Sequence, residues 1–222
     1  MPPSQVAIDG PVASGKSSVG KQLADKLGYV FFDTGAMYRA VTCLALREWG
    51  SAQDAAAVAA LAARVHIDVQ PPTLDDGRDS TILADGEDVT WAIRTPEVEN
   101  NVSLVAAMPE VRRSLTEQMR RVGRRGRVVM VGRDVGTVIL PEAELKIFLI
   151  ASTETRARRR FQEVQARGEA RRYEDILANL RERDQIDSSR SIAPLRPAAD
   201  AIEVDTTNLD LPGVIAAIEK LL

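Results

Sequence analysis

A single cysteine and a single histidine occur among 222 residues. Cys43 therefore has no partner for a disulfide within the chain. Neither it nor His66 can build a multi-Cys or His-rich zinc site. Positive charge is not in excess: 29 Lys and Arg stand against 32 Asp and Glu, a formal net charge of −3. That balance argues against a dedicated nucleic-acid binder and leaves only a local basic patch open. No stretch reaches the ~18 consecutive apolar residues of a membrane span. The first five residues carry no charged segment leading into an apolar core, so no secretory leader is expected. A lone free thiol suits the reducing cytoplasm, the expected location. No internal repeat or low-complexity segment is present. What remains, 45% hydrophobic and 27% charged, is the composition of a soluble globular chain able to bury a real core.

Short apolar runs alternate with helical patterns. Val6-Ala7-Ile8-Asp9 reads as a buried strand ending at the turn Gly10-Pro11. From Lys16 to Leu27, Val19, Leu23 and Leu27 recur at helical spacing, and Gly28 offers a C-cap. Further strands are expected at Tyr29-Val30-Phe31-Phe32, Val128-Val129-Met130-Val131, Leu145 to Ile150 and Ala201-Ile202-Glu203-Val204. The alternation predicts an α/β protein with a five-stranded parallel sheet flanked by helices. Between His66 and Trp91 the period changes to two, and Asp85-Gly86 signals a hairpin turn. This predicts a small antiparallel sheet inserted into the core. An Ala-rich helix over 54–65 precedes it. Thr95-Pro96-Glu97 opens a helix behind it, with Pro at the first position. A further helix after Pro109 places Val111, Leu115, Met119 and Val122 on one face.

Gly10-Pro11-Val12-Ala13-Ser14-Gly15-Lys16-Ser17 fits G-x-x-x-x-G-K-[ST] between a strand and a helix. Its glycines let the backbone wrap a phosphate chain, with loop amides and the helix N-terminus pointing at the anion. Lys16 would reach the β- and γ-phosphates, and the Ser17 hydroxyl would ligate Mg²⁺. A purine nucleoside triphosphate with Mg²⁺ is thus the expected ligand. The loop alone leaves a switch GTPase, a motor ATPase and a small-molecule kinase open. No N-K-x-D follows a strand, and no strand ends in consecutive acids, which favours the kinase.

Two further strand ends carry charge. Asp33-Thr34-Gly35-Ala36-Met37-Tyr38-Arg39 and Gly132-Arg133-Asp134-Val135-Gly136-Thr137 leave the edge where open α/β sheets bind ligands. Thr34 and Arg39 could hold a second phosphate, or Thr34 could simply cap a helix whose Arg39 is solvated. Arg133 and Asp134 could serve a ligand or form a local ion pair. Arg156, Arg158, Arg159 and Arg160, then Arg181, Arg183 and Arg190, suit a mobile lid that stabilises transferring phosphoryl charge and excludes water. The plainer reading is a solvated helix with pairs such as Glu154–Arg158. Arg120, Arg121, Arg124, Arg125 and Arg127 suit a helix C-terminus. His66 is expected to be structural, Cys43 core, and Trp49 and Trp91 packing anchors.

Taken in order, these blocks resemble the bacterial cytidylate kinases over nearly the whole chain. The resemblance includes Ile8-Asp9-Gly10-Pro11 with Gly15-Lys16-Ser17, and the two strand-end blocks above. It also includes Ile93-Arg94-Thr95-Pro96-Glu97-Val98, Ser103 through Arg112, Glu182-Arg183-Asp184 through Arg190, and Ala193-Pro194-Leu195. It implies one P-loop kinase domain over 1–222, with an acceptor-binding insertion at about 64–100 and an Arg-rich lid at about 156–185. The implied reaction is transfer of the ATP γ-phosphoryl to CMP or dCMP, giving ADP and CDP or dCDP. Residues 10–17 with Ser18, and Arg159 from the lid, would bind ATP. Arg112 and Asp134 would read cytosine beside Tyr38; Ser103, Arg183 and Asp187 would contact the sugar. Thr34, Arg39, Arg133 and Arg190 would hold the acceptor phosphate, and Lys16, Arg133, Arg183 and Arg190 would be catalytic. Thr34 stands where many members have Ser. Val131 stands where some members have an acid before Gly132, so Mg²⁺ would fall to Ser17 and Asp33. The implied partners are small molecules, not nucleic acid or membrane, and the implied state is a monomer. A kinase for another metabolite, such as a shikimate-like polyol, and an RNA-binding module built on the 120–127 arginines are the competing readings.

Overall fold

Alternation of side chains along five short strands sorts the core into two layers around one sheet. The computed structural model describes residues 2–166, 168 and 170–222. In chain order the elements are β1 (Gln5–Asp9), α1 (Lys16–Leu27), β2 (Val30–Asp33), α2 (Gly35–Trp49), α3 (Ala55–Arg64), β3 (Ile67–Gln70), β4 (Thr81–Ala84) and β5 (Glu87–Asp88). Then follow α4 (Pro96–Ala107), α5 (Pro109–Gly123), β6 (Val128–Gly132), β7 (Leu145–Ile150), α6 (Thr153–Ala166), α7 (Tyr173–Ser189), β8 (Ile202–Asp205) and α8 (Leu211–Glu219). A 3₁₀ turn (Ala92–Arg94) precedes α4, and a π-helical turn (Val135–Ile139) follows β6.

The main sheet has the order β2-β6-β1-β7-β8, and every pair is parallel. Val6 and Ile8 of β1, with Val129 and Val131 of β6, pack with α1 and α8. Ala7 of β1, Phe32 of β2 and Met130 of β6 face the opposite layer, built from α2 to α5. Val111, Leu115, Met119 and Val122 of α5 are all buried there, as their spacing predicts. So is Cys43.

Local signals set most boundaries. Gly28 closes α1 in the left-handed conformation. Asp54 caps α3 by accepting the Ala56 and Ala57 amides, and Thr95 caps α4 with Pro96 at its first position. The β4–β5 hairpin turns at Asp85 and Gly86, both at positive φ. Four local expectations are corrected. Trp49 and Trp91 are not packing anchors: they are 41% and 47% exposed. Trp91 instead donates its indole N–H to Asp76 and lies under the Arg94 guanidinium. Thr34 does not cap α2 with its side chain; its hydroxyl donates across the sheet to the Val131 carbonyl. Glu154 pairs with Arg181 of α7 at 3.2 Å rather than with Arg158, because α7 packs alongside.

The three-stranded antiparallel sheet, β3-β4-β5, lies toward the N-terminal ends of the main strands. Val69 and Pro71 share a crevice with Val30 and Val128, the first residues of β2 and β6. The strand ends that carry Asp33 and Gly132 are therefore on the other side, clear of this sheet. A third apolar cluster belongs to the lid segment. Ala157 and Val164 of α6 and Ile176 and Leu180 of α7 pack together and against Val12 and Ala13 of the phosphate loop. Residues 167 and 169, inside the expected lid, lie outside the described residues.

Phe32 is fully buried between the sheet and α2. Phe32→Ala is expected to lower the unfolding free energy by about 3–5 kcal/mol. Urea denaturation at constant m value measures this; a loss below about 1 kcal/mol would mean that the ring does not hold this layer.

Candidate active site

One large cleft, of about 1250 Å³, opens at the C-terminal edge of the sheet. Its floor is the phosphate loop. Gly10 turns at φ 150, and a Cβ there would come within 2.2 Å of the Leu149 carbonyl, so only glycine lets the chain leave β1 in this direction. Gly15 occupies the N-cap of α1, and no side chain caps the helix. Its first-turn amides are left for an anion, as an uncapped helix N-terminus favours. The Lys16 ammonium is buried and donates to the Pro11 carbonyl at 2.6 Å. Burial, then the nearby Arg133, lowers its pKa, against the pull of Asp33, Asp9 and Asp187.

The wall opposite comes from β2, α2, α4, α5 and the end of β6. Asp33 accepts from the Gly35 amide at 2.9 Å and from Arg39 at 3.3 Å. Burial raises its carboxyl, but Arg39, the amide and Arg133 together hold it below the usual range. Asp134 and Arg112 form a buried pair at 2.6 Å. Arg112 also donates to the Ala106 carbonyl and lies over the Tyr38 ring. The Tyr38 hydroxyl is buried without a hydrogen-bond partner, and burial pushes its pKa up to about 12.

The third wall comes from α6, α7 and the residues after them, the segment expected to act as a lid. Asp187 accepts from Arg133 at 2.8 Å and from Arg190, bridging the two guanidiniums. Burial raises Asp187, and these arginines with Arg183 more than reverse it. Arg183 has no ion-pair partner among the described residues, and burial beside Arg133 lowers its pKa. Arg160 reaches from α6 to Glu99 of α4 at 2.8 Å, joining lid to acceptor wall. Arg159 is held on the loop after β8 by the Thr206 hydroxyl at 3.0 Å and the Leu209 carbonyl at 3.1 Å.

The structure thus brings together Val12, Ala13, Ser14, Gly15, Lys16, Ser17, Ser18, Asp33, Thr34, Tyr38, Arg39, Ser103, Arg112, Arg133, Asp134, Arg159, Arg183, Asp187 and Arg190 on one cleft. Gly10 and Pro11 shape the loop from behind and do not line it. Within the segment 64–100, only Glu99 reaches the lining; Val102, Ser103 and Ala106 follow it on α4. Among the described residues no group of three or more His, Cys, Asp or Glu could hold a metal.

Two residues named in the sequence take individual roles that it did not assign. Arg156, buried, donates to the Val12 carbonyl at 3.1 Å and forks onto Asp184 at 2.6 and 3.1 Å, locking the lid helices to the phosphate loop. Nothing in sequence distinguishes it from its arginine neighbours. Asp9, 5% exposed, accepts the Val135 and Gly136 amides at 2.8 and 2.7 Å. A carboxylate ending a buried strand immediately before Gly10 was its available signal. Four of the five arginines over 120–127 turn to the protein itself. Arg120 donates to the Val138 and Ile139 carbonyls, Arg121 to the Ile67 carbonyl beside His66, and Arg127 to the Gly28 carbonyl. Arg125 pairs with Asp68.

A family model described as cytidylate kinase matches residues 6–222. A cytidylate kinase of Herpetosiphon aurantiacus is 50% identical over 220 residues, spanning 99% of this chain and 94% of that protein. One from Chloroflexus aggregans is 53% identical over 200 residues, spanning 90% and 85%. The crystal structure of an uncharacterized protein from Eubacterium ventriosum shares the fold with a TM-score of 0.50 at 14% identity, over 99% of this chain and 98% of that one.

Burial pushes the Asp9 carboxyl up to about 6, against the lowering pull of the two amides. The folded state therefore binds this proton more tightly than the unfolded chain, whose carboxyl keeps an ordinary value. The stability Asp9 contributes falls as pH rises through that window. Relative to Asp9→Asn, which does not titrate, the wild type is expected to gain about 1 kcal/mol on going from pH 7.5 to pH 5. Denaturant titrations of both proteins at the two pH values measure the difference; no change, or a loss, would mean that the carboxyl titrates normally.

Proposed function

The chain belongs to the cytidylate kinase family, and we propose that its cleft transfers the γ-phosphoryl of ATP to CMP or dCMP, giving ADP and CDP or dCDP, by in-line displacement. The observation that carries the acceptor assignment is the buried Arg112–Asp134 pair beside the unpartnered Tyr38 hydroxyl. Cytosine offers an amino group that a carboxylate accepts, next to ring acceptors that a guanidinium serves. A uracil in the same place would set a carbonyl against the Asp134 carboxylate and be rejected.

The two phosphate chains meet where the cations are densest. The loop amides and Lys16, released from the Pro11 carbonyl, bind the donor phosphates. Arg39, Arg133 and Arg190 take the acceptor phosphate with the Thr34 hydroxyl, while Ser103, Arg183 and Asp187 face the sugar. Arg183, lacking a carboxylate of its own, is the cation most in need of the incoming anion. No covalent intermediate is required: positioning and charge neutralisation supply the rate. Closure of α6 and α7 excludes water, so that the acceptor rather than water is phosphorylated. The Ser17 hydroxyl and Asp33 carboxylate are hard oxygen donors that suit Mg²⁺ held mainly through nucleotide phosphates and water. Bound there, the ion would neutralise charge on the phosphate oxygens. Action as a monomer in the cytoplasm belongs to the same proposal, and the buried free Cys43 thiol suits a reducing setting.

Coupled ADP release with ATP and Mg²⁺ over CMP, dCMP, UMP, AMP, GMP, shikimate and no acceptor tests the reading. CMP and dCMP are expected far above the rest. Equal release in every well would overturn the acceptor assignment. Asp134→Ala strands the buried Arg112 and is expected to lower kcat/KM for CMP by at least about 100-fold. Unaltered CMP turnover in that variant would place base recognition elsewhere.

A further inference from the structure

Asp9 takes no part in the reaction just described, yet it sits where donor and acceptor halves meet. It ends β1, one residue before the phosphate loop. Both its carboxylate oxygens are spent on consecutive amides of another segment, Val135 through Oδ1 and Gly136 through Oδ2. Those amides open the π-helical turn that follows β6, a geometry often found at functional sites.

The residue at the N-cap of that turn is Asp134. Aspartate in this position ordinarily folds back to accept the first free amides of its own helix. Asp134 does not: it makes no capping bond, and its carboxylate reaches Arg112 instead. Of the two amides such a cap takes, the second and third of the turn, Gly136 is already bound by Asp9. The turn is also closed from behind. A Cβ at Gly136 would stand 3.2 Å from the Lys146 Cδ and 3.4 Å from Asp9 Oδ2, so the backbone lies tightly between these two side chains. Lys146 is itself tied to Asp200 at 2.6 Å.

We propose that Asp9 is a positioning residue for acceptor recognition, capping the turn after β6 from the neighbouring strand so that Asp134 is free to read the acceptor base. The inference rests on the base-reading role given to Asp134 above. Without Asp9, the Val135 and Gly136 amides lose their acceptor, and Asp134, at the N-cap, is the carboxylate placed to satisfy Gly136. Turning inward to do so would take it off Arg112 and away from the base. The loss should therefore fall on the acceptor rather than on ATP.

Asp9→Asn keeps one accepting oxygen and sets an N–H against the other amide; Asp9→Ala removes both acceptors. Steady-state kinetics with CMP, UMP and ATP, and calorimetric binding of CMP without ATP, separate the possibilities. Asp9→Asn is expected to raise KM and Kd for CMP at least fivefold and to narrow the CMP-over-UMP ratio of kcat/KM by a similar factor. KM for ATP should stay within twofold, and Asp9→Ala should move further in the same direction. An ATP KM that rises as much as that of CMP, or an equal fall in kcat for CMP and UMP at unchanged KM, would overturn the proposal. Hydrogen exchange of the wild-type enzyme needs no variant to fold. CMP alone should slow exchange at the Val135 and Gly136 amides more than ATP alone; an equal or reversed order overturns the proposal. A wild type that releases no ADP with CMP would sink the acceptor reading itself, whereas an active wild type with a defect confined to ATP in Asp9→Asn sinks only the role of Asp9.

Discussion

The cleft concentrates guanidinium groups that could not stand together without carboxylates between them. Two like charges 4 Å apart repel by about 4 kcal/mol at an effective dielectric of 20. The structure answers with a carboxylate for nearly every arginine: Asp33 for Arg39, Asp134 for Arg112, Asp184 for Arg156 and Glu99 for Arg160. Asp187 serves Arg133 and Arg190 at once. The buried pair Arg112–Asp134 adds little net stability, because desolvation offsets attraction, but removing one partner leaves a buried charge uncompensated. The value of these pairs is geometric. Each carboxylate fixes where a guanidinium points before any phosphate arrives, so less reorganisation is needed when it does.

The same charges tie α6 and α7 to the phosphate loop and to α4. Arg156 joins α6, α7 and the carbonyl of Val12, so the lid and the phosphate loop share one buried anchor. The apolar contact between lid and loop is small, resting on Val12 and Ala13 against Ile176, Leu180 and their neighbours. The two clusters flanking the sheet are far larger. A segment with few buried apolar contacts belongs to the low-stability end of a fold, as the proposed closure of α6 and α7 requires. The Arg160–Glu99 pair, with both side chains partly exposed, is the weaker of these links and the easier to break on opening.

Much of this molecule is written in short stretches. Gly10 to Ser17, the Gly28 terminus of α1, the Asp54 and Thr95 caps, the Asp85-Gly86 turn and the alternation in β1 and β6 each depend on a few neighbouring residues. Backbone conformation and local hydrogen bonding are decided over that range, so such elements are legible without a structure. The α/β class follows, because a strand buried on both faces must be nearly continuous in apolar residues.

The strand order β2-β6-β1-β7-β8 was not legible, nor was the choice of partner for each charge. Asp9 and Val135 are 126 residues apart, Arg156 and Val12 144 apart. Arg156 and Arg158 look alike along the chain, yet one is buried on Asp184 and the other is exposed. Trp49 and Trp91 carry the residue type of a core anchor, yet each is only about half buried. Sequence by itself determined which segments would be helix, strand or phosphate loop, since those are local energies. Only the tertiary structure decided which carboxylate meets which cation, and so that Asp9 takes the amides after β6 while Asp134 lines the cleft. Those pairings depend on distances created by the packing of the whole sheet.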